Sequence, residues 1–109
     1  MQSLNKSPDK LTAPQLESDG QGNIRVSGEL SFVTIPSLAP SYNDIFNDNT
    51  NIVIDLGGVT RADSAGVALL IEWQREAMQH KQTLRFEHVP AQILAIARVS
   101  GVDELLSLD

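Results

Sequence analysis

The sequence predicts a single α/β domain, a small mixed β-sheet with helices packed on it, and three observations in its 109 residues lead there. Apolar runs rich in β-branched residues take turns along the chain with segments whose apolar residues recur at helical spacing. One run, Ile52-Val53-Ile54-Asp55-Leu56, is almost continuously apolar, as expected of a central strand buried on both faces of a partly parallel sheet. The composition, 41% hydrophobic and 20% charged without cysteine, suits one core that needs neither disulfides nor cysteine-bound zinc.

The elements follow in order. Residues 1–15 carry Pro8, Pro14 and scattered Ser, Lys and Asp, which predicts a flexible tail ahead of one domain over residues 16–109. Asp19-Gly20-Gln21-Gly22-Asn23 is a hairpin turn signal between a short strand near Leu16 and a second strand through Ile24, Val26 and Leu30. Ile35-Pro36 opens a helix in which Leu38, Tyr42, Ile45 and Phe46 share a spacing, up to the polar run 47–51. After the central strand, Gly57-Gly58 ends the extended run, a short loop leads to Asp63-Ser64, and residues 66–80 read as a helix. Its apolar stripe is Val67, Leu70, Ile71, Ala77 and Met78. Thr83 to Glu87 alternates as a half-exposed strand. Pro90 opens a further helix through Ile93, Leu94, Ile96 and Ala97, stopped by Gly101, and a last helical turn spans residues 102–106.

Charge excludes some partners. Fourteen acidic against eight basic residues leave a net charge of −6, so the chain repels a phosphate backbone and nucleic acid is not an expected partner. No apolar run approaches the length of a membrane span, and residues 1–8 lack the apolar stretch of a secretory signal. A cytoplasmic location is expected, with any membrane association made through other subunits.

The informative stretch runs from Ile52 to Leu70: a strand, a loop with Arg61, then Asp63-Ser64 at a helix mouth. A hydroxyl there faces unpaired backbone N–H groups and the positive end of the helix dipole, a good seat for a phosphoryl group. A phosphoryl group on Ser64 would also sit beside the Asp63 carboxylate, and that repulsion would alter what the loop presents. Alternatively, Asp63 or Ser64 is simply the helix N-cap, worth on the order of 1 kcal/mol.

Asp63-Ser64-Ala65-Gly66 at this strand-loop-helix junction, together with Gly28-Glu29-Leu30 on the second strand, resembles the signature of STAS domains. That family includes bacterial anti-anti-sigma factors, cytoplasmic domains of sulfate transporters and the small subunit of Mla-type phospholipid ABC transporters. The resemblance covers most of residues 16–106 and implies the STAS fold, with helices mainly on one face of the sheet. Ser64 matches the residue that a partner kinase phosphorylates in anti-anti-sigma factors, and Asp63 the acidic residue before it. Ser31 stands where many of those factors carry Asp, and Ala65 where a second Ser is common, so the resemblance leans to the transporter subunits. It implies a non-catalytic subunit, without cofactor or metal, that binds the ATPase of a phospholipid-transporting ABC complex in lipid asymmetry maintenance. The alternative is an anti-anti-sigma factor that binds an anti-sigma factor kinase and is regulated by phosphorylation of Ser64. The expected partner-binding surface is the loop around Asp63 and Ser64 with the first turns of its helix, Ala65 and Gly66 included, and Arg61, Leu69 and Trp73 as contributors.

Leu69 and Trp73 form an i, i+4 pair on the flank of the apolar stripe, either exposed as an anchor for a partner or packed beneath a neighbouring helix. Ala62-Asp63-Ser64-Ala65-Gly66 falls one residue short of a nucleophile elbow, and a chain of this length has no room for the supporting sheet. His80 reads as a cation at a helix C-terminus and His88 as a solvated loop residue, too few ligands for a metal site. Gly20-x-Gly22 and Gly57-Gly58 lack the remaining residues of a nucleotide cradle and read as turns.

Overall fold

The computed structural model describes residues 14–41 and 49–108. Residues 1–13 of the expected tail, Tyr42, Ile45 and Phe46 of the first expected helix, and Asp109 lie outside the described residues. Four strands form one sheet in the order β1-β2-β3-β4: β1 Gln15–Ser18, β2 Asn23–Leu30, β3 Asn51–Ala62 and β4 Thr83–Glu87. The pair β1–β2 is antiparallel, whereas β2–β3 and β3–β4 are parallel, so the sheet is mixed as predicted. Helix α1, Ser64–Gln79, connects β3 to β4, and α2, Ala91–Ser100, follows β4.

The β1–β2 turn closes on the Asp19 carboxylate, which accepts from the backbone N–H groups of Gln21 (2.7 Å) and Asn23 (3.1 Å) and from the Asn23 amide (2.7 Å). These bonds, the Asn23 side chain foremost, hold the Asp19 carboxyl below the usual carboxylate range. Helix α2 ends as its sequence predicts: Gly101 takes φ 76°, its N–H donates to Arg98 O and the Val102 N–H to Ala97 O, a double closure of the last turn. Ile24, Val26 and Leu30 of β2, Ile52, Ile54 and Leu56 of β3 and Phe86 of β4 meet Val67, Leu69, Leu70, Trp73, Ile93 and Ala97 in one core. Each fully buried Leu or Ile there contributes about 1.5–3 kcal/mol of apolar transfer.

Four expectations change. β3 is not buried on both faces: Val53 and Asp55 are only half-buried, because the helices cover one face of the sheet. The open face instead carries the cross-strand row Glu17, Arg25, Asp55, Glu87, in which Arg25 stands between two acidic neighbours. Nor does β3 stop at Gly57-Gly58. It runs on to Ala62 through two register shifts against β2, and at the first of them Ser27 pairs with Gly58 so closely that a Cβ on Gly58 would lie 2.7 Å from the Ser27 Cβ. The segment with Pro36 and Pro40 is a 3-10 helix, Ile35–Ser41, since proline cannot donate the bonds of an α-helix interior. Residues 103–107 form turns, not a helix, yet they bring Leu106 and Leu108 into the core.

The close passage of Gly58 predicts that Gly58→Ala costs about 1–3 kcal/mol by overpacking. Ser27→Gly in the same chain should recover part of that loss, as read by denaturant midpoints; equal stability of the two variants would contradict the packing.

Candidate functional site

Parallel pairing brings the C-terminal ends of β2 and β3 side by side, with Leu30 opposite Ala62. Such strand ends are where open α/β sheets place their ligands. Two segments emerge there: the turn from Ser31 to Thr34, and Asp63 leading into α1. The Asp63 N–H donates to Leu30 O (3.2 Å), and the Ala62 N–H donates to Gln92 Oε1 of α2 (3.0 Å), so both sides of the corner are fastened.

Asp63 is the N-cap of α1. Its backbone is extended (φ −123°, ψ −166°), and its Oδ1 accepts from the Ala65 N–H at 2.8 Å. Its other oxygen, Oδ2, accepts from the Phe32 N–H at 3.2 Å, thirty-one residues away in sequence. One carboxylate therefore closes the helix and ties the β2 turn to it. Ser64 is the first helical residue and is exposed.

The turn is held from within. Thr34, only 2% exposed, donates its hydroxyl to Glu29 O and accepts from the Ser31 N–H at 2.9 Å, while the Ser31 hydroxyl donates to Glu29 Oε2 at 2.7 Å. With its polar groups engaged inward, the turn points Phe32 and Val33 outward, at 80% and 64% exposure. Sequence reasoning missed these two. Their signal was a bulky apolar pair between the end of a strand and Pro36, where a turn ordinarily carries polar residues.

The predicted site residues divide into two groups. Arg61, Asp63 and Ser64 are exposed at the corner and Ala65 is half-buried beside them. Gly66, Leu69 and Trp73 are buried. Gly66 lies so close to β2 that a Cβ there would be 3.1 Å from Leu30 O. Leu69 (5% exposed) and Trp73 (2%) correct the reading of an exposed anchor pair, because the buried arc of α1 is centred nearer Trp73 than the predicted stripe. Burying a Trp and a Leu removes more apolar surface from water than burying Met78, which is 66% exposed.

The histidines lie elsewhere. His80 caps the far end of α1, with Nδ1 2.8 Å from Glu76 O. His88 is not merely solvated: at φ 55°, its Nδ1 lies 2.9 Å from Asp55 Oδ1, which also accepts from the Gly57 N–H at 2.8 Å. The Gly57 bond, and after it His88, holds the Asp55 carboxyl below the usual range. Among the described residues no group of three or more His, Asp or Glu is arranged to hold a metal ion, and no helix is long and apolar enough to cross a membrane.

Two outcomes follow from the geometry. Asp63→Ala should cost about 1–2 kcal/mol, while Ser64→Ala stays within about 0.5 kcal/mol, since only Asp63 serves as the cap. Equal losses in thermal melts would contradict that assignment. A depressed carboxyl stabilises the fold above the unfolded carboxylate pKa and loses that effect as pH falls through its folded value. Asp55→Asn should therefore flatten the fall of Tm between about pH 5 and about pH 2; an unchanged profile would mean the Asp55 bonds are not maintained in solution.

A family model described as Mlab, STAS domain matches residues 15–107. The fold is similar to the anti-sigma factor antagonist SpoIIAA in its unphosphorylated form, with TM-score 0.65, 19% identity and 84% of each chain covered. It is similar to an anti-sigma factor antagonist from Mycobacterium paratuberculosis, with TM-score 0.66, 22% identity, and 93% of this chain and 87% of that one covered. It is also similar to part of SLC26A9, with TM-score 0.65, 16% identity, and 82% of this chain but 17% of that one covered. At these identities the likeness concerns the fold. No curated protein matches the sequence significantly.

Proposed function

The chain belongs to the STAS family, matched along residues 15–107 by its Mlab-type model, and from that premise we propose that it is a non-catalytic interaction subunit. Its partner in this reading is the cytoplasmic ATPase of a phospholipid-transporting ABC complex, whose assembly or activity it supports in maintaining lipid asymmetry. The observation that carries the reading is the corner itself, where Arg61, Asp63 and Ser64 face outward on a capped helix mouth fastened to two strand ends. The corner supports docking better than chemistry. His80 closes the opposite end of α1 and His88 pairs with Asp55, so neither is placed beside the Ser64 hydroxyl as a general base.

A second reading draws on the same hydroxyl. An exposed serine at the first helical position can take a phosphoryl group, which gains first-turn N–H donors and meets the Asp63 carboxylate. In that case the partner is an anti-sigma factor kinase, and modification of Ser64 releases it. The intact mass of the protein from growing cells separates the two readings, since only the second requires a stoichiometric phosphate on Ser64.

The test of the favoured reading is a pull-down from native membranes with the bound proteins identified. The ATPase should co-purify with the wild-type chain and be lost with Ser64→Glu at unchanged Tm. Retention by Ser64→Glu, or no ATPase with the wild type, would refute it.

A further inference from the structure

Phe32 and Val33 stand side by side as large exposed apolar residues in the turn after β2. A lone exposed apolar side chain is ordinary on a protein surface. These two differ in how they are held: the buried Thr34 hydroxyl, the Ser31 hydroxyl bound to Glu29, and Asp63 all brace the turn beneath them. The ordering cost of the turn is thus met within the folded chain, so a partner that meets Phe32 does not have to supply it. The same carboxylate that receives the Phe32 N–H caps α1, so the apolar pair has a set position relative to Ser64.

Charge narrows the occupant. Among the described residues, the corner sets exposed Asp63 and half-buried Glu29 against Arg61, in a chain of net charge −6. A second copy of the chain, or an anionic bilayer, is repelled along the same approach, whereas a basic rim is attracted. An aromatic residue at the centre of a polar ring is the usual energetic centre of a protein interface.

We infer that Phe32 and Val33 are the apolar anchor of the docking surface, that Asp63 is the residue positioning them beside Ser64, and that the partner protein offers an apolar pocket rimmed by basic side chains. This rests on the reading of the corner as a docking surface, and it names which residues supply the affinity. Ser64 then acts as the neighbour that permits or blocks engagement.

The test is site-specific photo-crosslinking of the full chain in cells, with p-benzoylphenylalanine in place of Phe32 and, as a control, in place of Met78, roughly 21 Å along α1 from Ser64. The adduct from position 32 should contain the ABC ATPase, and position 78 should give none. With that ATPase purified, the double variant Phe32→Ser, Val33→Ser should bind roughly tenfold or more weakly at unchanged Tm, while Phe32→Leu keeps most of the affinity. An ATPase that co-purifies and is lost with Ser64→Glu, yet neither crosslinks at position 32 nor responds to the double variant, overturns the anchor and leaves the proposed function standing. An adduct from position 32 with an anti-sigma factor kinase removes the ABC reading and keeps the anchor. An adduct with a second copy of the chain or with lipid overturns the occupant argued here.

Discussion

The Asp63 carboxylate is shared between the turn after β2 and the first turn of α1, and the arrangement of the corner depends on that sharing. An N-cap ordinarily serves its own helix. Here the second oxygen is free to accept from Phe32 only because Leu30 and Ala62 are register partners, so the two strands end together. The parallel pairing in turn requires β3 to pass β2 closely at Ser27 and Gly58, and Gly66 to pass close to Leu30. The shape of the corner is therefore a consequence of strand register more than of any single loop.

Beneath the corner, the support is apolar and continuous. Leu30, Ala62, Val67, Leu69, Leu70 and Trp73 belong to one core, so the start of α1 cannot shift without disturbing packing on both strands. Gln92 adds a polar strut from α2 to the end of β3. The rigid half of the predicted site, Gly66, Leu69 and Trp73, shapes the corner from inside, and the exposed half, Arg61, Asp63 and Ser64, meets what lies outside. The open face of the sheet has a different character, with Arg25 placed between acidic neighbours and His88 held to Asp55.

Several features could be read from residue types because local chemistry decides them: the Asp19 turn, the Gly101 stop, and a polar cap at Asp63-Ser64. Others were set by distant partners. Residue type left open which of Asp63 and Ser64 caps the helix; the cap is Asp63, whose second oxygen also accepts from Phe32. The course of β3 past Gly57-Gly58 depended on Ser27 of another strand, so a glycine pair that signals a turn in isolation became a close crossing. The burial of Trp73 reflected the rotation of α1 needed to bury its largest side chains, which a helical wheel alone leaves open. Phe32 and Val33 were not singled out from the sequence, and their exposure goes with a turn whose polar groups, Thr34 among them, are bonded inward. The family resemblance pointed to the corner, and burial separates its exposed residues, Arg61, Asp63 and Ser64, from Gly66, Leu69 and Trp73, which pack inside.

The sharing of one carboxylate by two loops is most directly tested by amide hydrogen exchange in the Asp63→Ala variant, residue by residue. The account predicts that the Phe32 and Ala65 amides lose protection together while those in the middle of β2 and β3 keep theirs. Loss at Ala65 with Phe32 unchanged would show that Asp63 caps only its helix and that the apolar turn is positioned without it.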